Sequence, residues 1–322
     1  MVDSLASFDT AIRNWYLSAE PSQAELLEVQ EYFGLPSTAL VEKDYYVVKA
    51  LRALSGVDLA PLAIVFGGGT SLSRAHRLIR RMSEDIDLKI ISQDHANRGQ
   101  LRRLRDAVTG ALLAAGFDFD PQNPAHRRSA NESRYTVFRL PYPSLTRGEG
   151  ALRPEIQIEL APWPLREPSV DLPVSSFIAE AFQRPAEVER IACVTVTQTA
   201  AEKFVALTRR VAAQLAEPRE QQDPTLVRHL YDLYAIREHY DLEDVATVIQ
   251  QVILHDAEAF GGQSPNYKAD PLGQTRAAVG ALARRPEYAQ QYADFMRDMV
   301  YGDRPAFDLA IDAVENILAR LG

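Results

Sequence analysis

Cysteine is nearly absent from this sequence, which contains Cys193 alone among 322 residues. A single cysteine cannot close an internal disulfide and provides no cysteine cluster for a metal ion. It lies in the apolar stretch 191–196, so we expect a buried residue that packs as a small hydrophobe. The fold must therefore depend on a hydrophobic core, and 46% hydrophobic residues are enough for one large or two modest cores.

Long hydrophobic runs are also missing. No apolar stretch approaches the roughly 20 residues that a helix needs to cross a bilayer. The first residues, Met1-Val2-Asp3-Ser4, lack the basic-then-apolar order of a secretory signal peptide. We therefore expect a cytoplasmic protein that has no membrane partner.

Basic residues are fewer than acidic residues in the chain as a whole, which has a net charge of -9, but the charge is unevenly distributed. Residues 70–150 contain 14 Lys and Arg against 9 Asp and Glu, so the remainder has a net charge of -14. This balance argues against a protein that binds nucleic acid over its whole surface. A local basic region can still attract a polyanion.

The spacing of apolar residues divides the chain into regions of different secondary structure. The first sixty residues and the residues after 175 have helical spacing, and Ser37-Thr38 is a helix start signal. Short apolar runs between these regions indicate strands, which predicts an α/β or α+β core. The predicted strands are residues 62–66, 86–91, 135–140 and 156–160, and the predicted helices are residues 72–81, 101–114, 199–215, 224–238, 242–254 and 308–321.

Prolines and glycines mark the predicted connections. Four prolines in residues 161–173 favour a connector, because proline fits neither a central strand nor a helix interior. Glycines and prolines in residues 261–273 favour a loop. The predicted domains are therefore residues 1–174 and an α-helical lobe of residues 175–322.

A predicted strand, three glycines and a predicted helix follow one another near residue 68. Gly67, Gly68 and Gly69 allow a tight turn, and free N–H groups at a helix start favour phosphate. Thr70 and Ser71 add hydroxyl groups at the same place. The pattern is compatible with a nucleotide phosphate site or with a plain turn.

Two aspartates begin the next predicted strand. Alternation along the strand places Asp85 and Asp87 on one face and Ile86 on the other. Mg²⁺ would remove the repulsion between the carboxylates, since it binds one or two of them and completes its shell with phosphate and water. Glu159, on a neighbouring predicted strand, is the candidate third carboxylate of a two-metal site. The alternatives are a solvated strand edge for the aspartates and a polar solvent face for Glu159.

These motifs resemble those of a known family. Gly-Gly-Thr-Ser-Leu at 68–72 with Arg-Met-Ser-Glu-Asp-Ile-Asp-Leu at 81–88 resembles the first motif of the AbiEii/AbiGii toxin family, which includes the MenT-type nucleotidyltransferases. Thr-Ala-Ala-Glu-Lys at 199–203 resembles its helical lysine motif, and Arg-His-Leu-Tyr-Asp-Leu-Tyr at 228–234 resembles its Tyr-Asp-Leu motif. Glu-Lys-Asp at 42–44 resembles a less specific upstream element.

The resemblance implies a polymerase-β-like nucleotidyltransferase core with a small mixed sheet, followed by an α-helical C-terminal lobe. It implies that Asp85 and Asp87 bind Mg²⁺ (or Mn²⁺) and that Lys203 contacts the triphosphate of an NTP. Asp232 would assist the incoming nucleophile. The candidates for phosphate binding in the first motif are Gly68, Gly69, Thr70, Ser71 and Ser83, and which hydroxyl contacts the phosphate stays open.

Without the resemblance, three of these residues have simpler interpretations. Lys203 lies at the border of an apolar helix stripe, so its stem could cover apolar surface while the ammonium stays in water. Asp232 could form a surface ion pair with Arg228, four residues earlier. His229 could hydrogen-bond within its helix rather than take part in catalysis.

The combined expectation is an enzyme in which an acceptor hydroxyl attacks the α-phosphate of an NTP and pyrophosphate leaves. The proton would pass to the metal site, Asp232 or Glu159. The resemblance implies a toxin restrained by an antitoxin, and it suggests the 3′ end of tRNA as acceptor. The basic segment agrees with tRNA and contains Arg98, Arg102, Arg103, Arg105, Arg127 and Arg128. The alternatives are a solvated arginine-rich helix, a small-molecule acceptor such as an aminoglycoside, a protein acceptor, and a non-catalytic antitoxin-binding partner.

Overall fold

The computed structural model describes residues 20–92, 96–131, 134–146, 152–216, 223, 225–260 and 265–321. Strands and helices mix in an α+β fold, as the sequence predicts. The strands are β1 (Ala63–Gly67), β2 (Asp85–Ile91), β3 (Arg127–Ala130), β4 (Tyr135–Pro141), β5 (Glu155–Pro162), β6 (Val170–Val174) and β7 (Val188–Cys193). The helices are α1 (Gln23–Phe33), α2 (Thr38–Ser55), α3 (Gly68–Arg74), α4 (Arg98–Ala114), α5 (Phe177–Ala181), α6 (Val196–Ala216), α7 (Arg228–Ile236), α8 (Leu242–Phe260), α9 (Pro265–Ala269), α10 (Pro271–Arg284), α11 (Pro286–Met299) and α12 (Phe307–Leu318).

The strands of the described chain form one seven-stranded mixed sheet in the order β3-β4-β5-β2-β1-β7-β6. Strand β2 pairs antiparallel with β1 and parallel with β5, and β4 pairs antiparallel with β5. The two strands that carry the predicted carboxylates, β2 and β5, are therefore central neighbours. The prediction of a mixed sheet is confirmed.

The chain divides into two compact units. The first, here called the sheet unit, comprises the described parts of residues 1–75, 83–164 and 171–193. The second, the helical unit, comprises the described parts of residues 76–82, 165–170 and 194–322. The division of the sequence into lobes at residues 1–174 and 175–322 stays a prediction.

The core of the sheet unit explains why β2 and β5 present polar residues on one face only. Ile86 and Leu88 of β2 and Ile158 of β5 belong to one buried cluster with Leu51 of α2 and Leu104 of α4. Burying a large aliphatic side chain stabilises a fold by about 1.5–3 kcal/mol. This burial fixes the register of both strands, because a shift by one residue would put the carboxylates into the core.

The helix predicted at residues 72–81 is wrong for most of that range, since α3 begins at Gly68 and ends at Arg74. Arg77 adopts a φ of 58°, which no α-helix contains. The carbonyl of Arg80 accepts the N–H of Tyr301 at 3.1 Å, a partner from the other end of the sequence. The helical spacing of apolar residues in this segment therefore reflects their burial and not a helix. Hydrogen bonds to residues far away in the sequence determine the backbone conformation.

Two strands lie where the sequence predicts other structure. Strand β6 occupies part of the proline-rich connector at residues 161–173, and its Pro173 lies in an edge strand, where proline removes no central hydrogen bond. Strand β7 lies in the region predicted to be helical, and it pairs with β1. Its short alternating pattern is hard to distinguish from a buried helix segment.

The ends of several helices also differ from prediction. Helix α7 begins at Arg228 and not at Pro224, which lies outside the described residues. The predicted loop at residues 261–273 contains α9 and the start of α10, and its residues 261–264 lie outside the described ranges. Within the described ranges, no helix has both the length and the apolar character to cross a bilayer.

Candidate active site

The glycine turn after β1 lies directly against the second aspartate of β2. Gly68 has a φ of 73°, in the left-handed region that favours glycine. A Cβ atom at this position would lie 1.9 Å from Oδ2 of Asp87, so a larger residue requires that the carboxylate move. The register of β1 and β2 pairs Gly67 with Asp87. The predicted turn and the predicted carboxylate are therefore in contact.

The three predicted carboxylates share one face of the sheet. Along β2, Asp85 and Asp87 are half-buried, whereas Ile86 between them is fully buried. The parallel register places Asp87 beside Glu159 and Asp85 beside Gln157 of β5. Paired residues on neighbouring strands point to the same face. The structure thus brings together the carboxylates that the sequence pattern selects.

Polar neighbours compensate part of the charge of this cluster. The Arg153 guanidinium donates to Oδ1 of Asp85 and, at 2.9 Å, to Oε1 of Gln157. Glu159 accepts hydrogen bonds from the Tyr135 hydroxyl at 2.9 Å and from the Gln157 amide at 2.7 Å. Burial raises the pKa of Tyr135, and the adjacent Glu159 carboxylate adds to this. Tyr135 therefore stays a neutral hydrogen-bond donor to Glu159.

A metal ion held by protein groups alone does not fit this cluster. Among the described residues, no group of three or more His, Cys, Asp or Glu side chains could hold a metal ion. Mg²⁺ often binds one or two carboxylates and takes its other ligands from phosphate and water. The half-buried oxygen donors of Asp85 and Asp87 fit that lower requirement, and they would hold the ion together with a bound triphosphate.

The candidate phosphate-binding hydroxyls differ in accessibility. Thr70 is fully buried, and its hydroxyl donates to the carbonyl oxygen of Asp85. Ser71 is 2% exposed. Ser83 is half-buried, and its hydroxyl lies 3.0 Å from that of Thr70. Thr70 thus connects α3 to the start of β2, and Ser83 offers the most accessible of the three hydroxyls.

Lys203 and Asp232 lie in the helical unit, where they form a buried cluster with Arg81. The guanidinium of Arg81 donates to both oxygens of Asp232, at 2.6 Å and 2.7 Å. The ammonium of Lys203 donates to Oδ2 of the same carboxylate at 2.6 Å. Asp232 is fully buried, so its interpretation as a surface partner of Arg228 is wrong. The ammonium of Lys203 is buried as well, which contradicts a snorkelling lysine.

The ionisation of this buried cluster follows from its contacts. Burial alone would raise the pKa of Asp232, but Arg81 and Lys203 outweigh burial and hold the pKa below its usual range. Burial lowers the pKa of Lys203, and Asp232 opposes this effect. Burial, with Lys203 nearby, also holds the pKa of His229 well below its ordinary value. Asp232 is therefore an ionised acceptor with both oxygens occupied, and a weak candidate for a general base.

The sequence of this chain matches a family model, and its fold is similar to that of a solved structure. Residues 49–319 match the sequence model of the family described as nucleotidyl transferase AbiEii toxin, Type IV TA system. The chain belongs to the AbiEii nucleotidyltransferase toxin family. The solved structure of MenT4, a nucleotidyltransferase toxin from Mycobacterium tuberculosis H37Rv, is similar in fold, with a TM-score of 0.51 and 17% identity over 92% of this chain and 89% of that chain. No curated protein matches the chain by sequence.

Membership in the AbiEii family confirms the predicted enzyme class and the predicted toxin family. Of the predicted site residues, Asp85, Asp87, Glu159, Gly68, Gly69, Thr70, Ser71 and Ser83 lie in the sheet unit, and Lys203 and Asp232 lie in the helical unit. Contacts connect six of the sheet-unit residues, namely Gly68, Thr70, Ser83, Asp85, Asp87 and Glu159. The individual roles of all ten residues stay predictions.

The Glu-Lys-Asp element at 42–44 contributes contacts that the sequence did not predict. Lys43 is buried, and its ammonium lies 2.9 Å from Oε2 of Glu84. It also donates to the backbone carbonyls of Arg153 at 2.6 Å and Glu155 at 2.7 Å. Arg153 in turn binds Asp85, so Lys43 positions the residues beside the first aspartate. The available signal was three consecutive charged residues between the apolar positions Val41 and Val47 of this helix.

The acidic neighbours of Lys43 have structural contacts of their own. Glu42 accepts hydrogen bonds from the N–H of Leu145 at 2.6 Å and from the hydroxyl of Thr146 at 2.6 Å. Asp44 accepts the N–H of Phe177 at 2.7 Å, and burial raises its pKa to about 7. These contacts attach α2 to two other segments of the sheet unit. The element is thus a structural support of the AbiEii carboxylate cluster.

Proposed function

We propose that this AbiEii chain transfers a nucleoside monophosphate from an NTP to the 3′ end of a tRNA, with Mg²⁺ (or Mn²⁺) bound at Asp85 and Asp87. In this reaction the acceptor hydroxyl oxygen forms a bond to the α-phosphorus. The bond from that phosphorus to the bridging oxygen of the β-phosphate breaks, and pyrophosphate leaves. The proposed setting is the cytoplasm, and the proposed partner is a cognate antitoxin that restrains the toxin.

One observation carries the proposal: the Asp87 carboxylate lies against the Gly68 turn and beside Glu159. A triphosphate held at the turn would therefore have its charged oxygens within reach of the acidic face. When bound there, a divalent ion would neutralise charge on the transferring phosphoryl group and on the leaving pyrophosphate.

The proton of the acceptor hydroxyl requires a base, and the contacts favour Glu159 over Asp232. Both oxygens of Asp232 accept hydrogen bonds from cations, and its pKa lies below the usual range. Glu159 is half-buried, and its donors among the described residues are neutral, namely the Tyr135 hydroxyl and the Gln157 amide. A carboxylate with neutral donors accepts a proton more readily than one between two cations. We assign Glu159 as the proton acceptor.

The basic residues of α4 support a nucleic acid as acceptor. Arg98, Arg102 and Arg103 are exposed, whereas the Arg105 side chain is 17% exposed. The guanidinium of Arg102 lies 3.7 Å from Asp106, in a pair that water screens. Exposed arginines can bind phosphates, so Arg98 and Arg102 form the phosphate-binding pair that we propose on this helix.

Labelling with four radioactive NTPs, each offered separately, tests the function directly. Total tRNA, aminoglycosides and lysate proteins serve as alternative acceptors in parallel reactions. We expect label on tRNA with at least one NTP and release of pyrophosphate. Label on a small molecule or on protein, with none on tRNA, would contradict the tRNA assignment and support the rival acceptor.

A chemical control identifies the acceptor atom. Periodate cleaves the 2′,3′-diol at the end of RNA, so oxidised tRNA lacks the hydroxyl that the reaction needs. We expect oxidised tRNA to take up no label, while β-elimination of the oxidised nucleoside, followed by enzymatic removal of the remaining 3′ phosphate, regenerates a 3′ hydroxyl and restores labelling. Equal labelling of intact and oxidised tRNA would exclude the 3′ end as the acceptor.

A further inference from the structure

A cavity of about 600 Å³ lies in the helical unit, and arginine dominates the wall that the described residues form. It is lined by Arg77, Arg80, Arg237 and Arg304, and by the tyrosines Tyr231 and Tyr234. Asp303 is the one carboxylate in this lining. Residues 194–322 carry 13 Lys and Arg against 19 Asp and Glu, so the surrounding sequence is acidic. The arginines are therefore concentrated here against the local charge balance.

Among the described residues, two of these arginines have no carboxylate paired with their guanidinium. Within the described residues, the guanidinium of Arg80 has no ion-pair partner, and its side chain is exposed. The guanidinium of Arg304 donates to the backbone carbonyl of Val300 at 2.9 Å, which is a neutral partner. Like charges that share a cavity repel each other, and an anion bound between them removes that cost.

The wall around Arg80 is held in place before any ligand binds. Its backbone N–H donates to the hydroxyl of Tyr231 at 3.2 Å, and its carbonyl accepts the N–H groups of Tyr301 and Gly302. A Cβ atom on Gly302 would lie 2.5 Å from the Cβ atom of Arg80, so the stem of Arg80 packs directly on the glycine. A fixed stem lowers the entropy lost when the guanidinium binds a ligand.

Backbone strain occurs at the same wall. Arg77 has a φ of 58°, a left-handed conformation that is unusual for a residue with a long side chain. Such conformations cost free energy and concentrate at functional sites. The strained arginine is one of the four that line the cavity.

The cavity also contains a stacked pair of flat groups. The guanidinium carbon of Arg237 lies 3.8 Å from the centre of the Tyr234 ring, and its Nη1 donates to the Tyr234 carbonyl at 2.7 Å. Flat cationic and aromatic groups beside a positive groove are typical of proteins that bind single-stranded nucleic acid. Arginine also presents a planar fork of donors that matches phosphate oxygens.

We infer that this cavity binds the phosphate backbone of a single-stranded RNA segment, with a base on the Arg237 and Tyr234 pair. A volume of about 600 Å³ far exceeds one inorganic phosphate, since a water molecule occupies about 30 Å³ of liquid. The inference rests on the proposed function in one respect, namely that the acceptor is RNA. All lining residues of the cavity belong to the helical unit.

Fluorescence anisotropy with a labelled single-stranded RNA of about 12 nucleotides, without NTP, tests the site in the full chain. The test variant is Arg80→Gln with Arg304→Gln. The matched control is Arg285→Gln with Arg320→Gln, which removes the same charge from exposed positions of the same unit. We expect the Kd of the test variant to rise roughly 10-fold and its salt slope to fall by about 1.4, or about 0.7 for each lost phosphate contact. The control should stay within about twofold of the wild type.

Three outcomes would overturn the inference. The first is an unchanged Kd and salt slope in the test variant. The second is an equal change in test and control variants, which indicates general charge alone. The third is a test variant that binds RNA as the wild type does but binds free ATP more weakly in equilibrium dialysis. That result would assign the cavity to a free nucleotide. If the double variant is unfolded by circular dichroism, Arg80→Gln alone decides the question, because the guanidinium of this exposed side chain has no ion-pair partner among the described residues.

The binding assay and the labelling assay fail independently. A wild-type chain that binds RNA through Arg80 and Arg304 but labels no RNA would refute the proposed transfer and leave the RNA site standing. A chain that labels tRNA with equal efficiency in the wild type and the test variant, and binds RNA equally, would refute the RNA site and leave the transfer standing.

Discussion

Two clusters of charged residues in this chain contain similar side chains in opposite environments. Asp85 in the sheet unit keeps 22% of its side chain exposed beside Arg153, and Asp87 and Glu159 on the same face are half-buried. Asp232 in the helical unit is fully buried, and cations occupy both of its oxygens. An accessible carboxylate can exchange its protein partners for a metal or substrate, whereas a saturated buried carboxylate cannot do so without a large loss.

The comparison shows why the presence of an aspartate in a family motif does not define its task. Both the Asp85-Ile86-Asp87 motif and the Tyr231-Asp232-Leu233 motif carry the family resemblance. We therefore propose a catalytic role for the first motif and a supporting role for the second. Variants that lose activity but not stability, or stability but not activity, therefore test the difference between the two motifs.

The largest expected effect is on activity in the sheet unit. Asp87→Asn removes a proposed metal ligand with little change in volume, so we expect transfer to fall by at least about 10³-fold. The exposed Asp118→Asn is a matched control in the same unit and should retain wild-type activity. Unfolding by urea should show that Asp87→Asn is folded. Activity of Asp87→Asn within tenfold of the wild type would refute the metal assignment.

Asp85→Asn is a second form of this test with a different structural background. The Asp85 carboxylate binds Arg153, so its removal ends an ion pair as well as a charge repulsion. We expect the same loss of transfer and a small loss of stability. A stabilised Asp85→Asn variant would mean that repulsion within the aspartate pair outweighs the contact with Arg153.

The second effect is on stability in the helical unit. Asp232→Asn leaves Arg81 and Lys203 buried without a counter-charge, and we expect a loss of about 3–5 kcal/mol in the free energy of unfolding. Asp294→Asn is the control, because the Asp294 and Arg297 side chains are 45% and 65% exposed, and it should cost less than about 1 kcal/mol. Urea denaturation measures both. Equal losses in the two variants would show that burial does not distinguish these ion pairs.

The loss of stability in Asp232→Asn should depend on pH. The pKa of Asp232 in the folded chain lies below the ordinary value of 3.8, so the folded state favours the ionised form. Its contribution is complete above that ordinary value and is lost as pH falls through the folded pKa. The stability difference between wild type and Asp232→Asn should therefore be constant from about pH 5 to 8 and shrink below about pH 4. A difference that grows on acidification would contradict this assignment.

Some of the structural features behind these predictions could be predicted from the sequence, and others could not. Alternation along residues 85–91 and 155–160 predicted the shared carboxylate face, because a half-buried strand must separate polar from apolar residues. Neither the contact of Asp87 with Gly68 nor the parallel pairing of β2 with β5 could be derived from spacing. Both depend on the order of strands, which connects residues far apart in the sequence.

The partners of buried charges were the least predictable part of the site. Asp232 pairs with Arg81, about 150 residues away, although Arg228 lies one helical turn before it. Spacing along the sequence favours the nearest opposite charge as the partner. The buried Asp232 instead pairs with an arginine, whose planar fork matches both carboxylate oxygens. The contact of Lys43 with Glu84 was also not predictable, because it joins residues that lie far apart in the sequence.

A third and smaller effect tests the contact between the turn and the carboxylate. Gly68→Ala places a side chain in a left-handed conformation and 1.9 Å from Asp87, so we expect a loss of about 2–3 kcal/mol and reduced transfer. Gly110→Ala is the control, since its Cβ meets no atom within 4 Å and alanine favours the helix. In Gly68→Ala with Asp87→Ala, part of the stability should return while transfer stays absent. No recovery of stability would place the strain in the backbone alone.

The smallest expected effect on stability concerns Lys203, which the family resemblance assigns to the triphosphate and the structure places on Asp232. Lys203→Ala removes one of two cations, and the Arg81 fork still neutralises Asp232, so we expect a loss of about 1–2 kcal/mol. If Lys203 also contacts the triphosphate, the KM of Lys203→Ala for NTP should rise several-fold, which is more than its unfolded fraction explains. Lys203→Arg should restore the KM poorly, because the two cations differ in shape. Lys203→Met separates the roles, since it preserves the buried stem without the charge. An unchanged KM for NTP in Lys203→Met, with stability lowered as in Lys203→Ala, would assign Lys203 to the support of Asp232 and remove it from the nucleotide site.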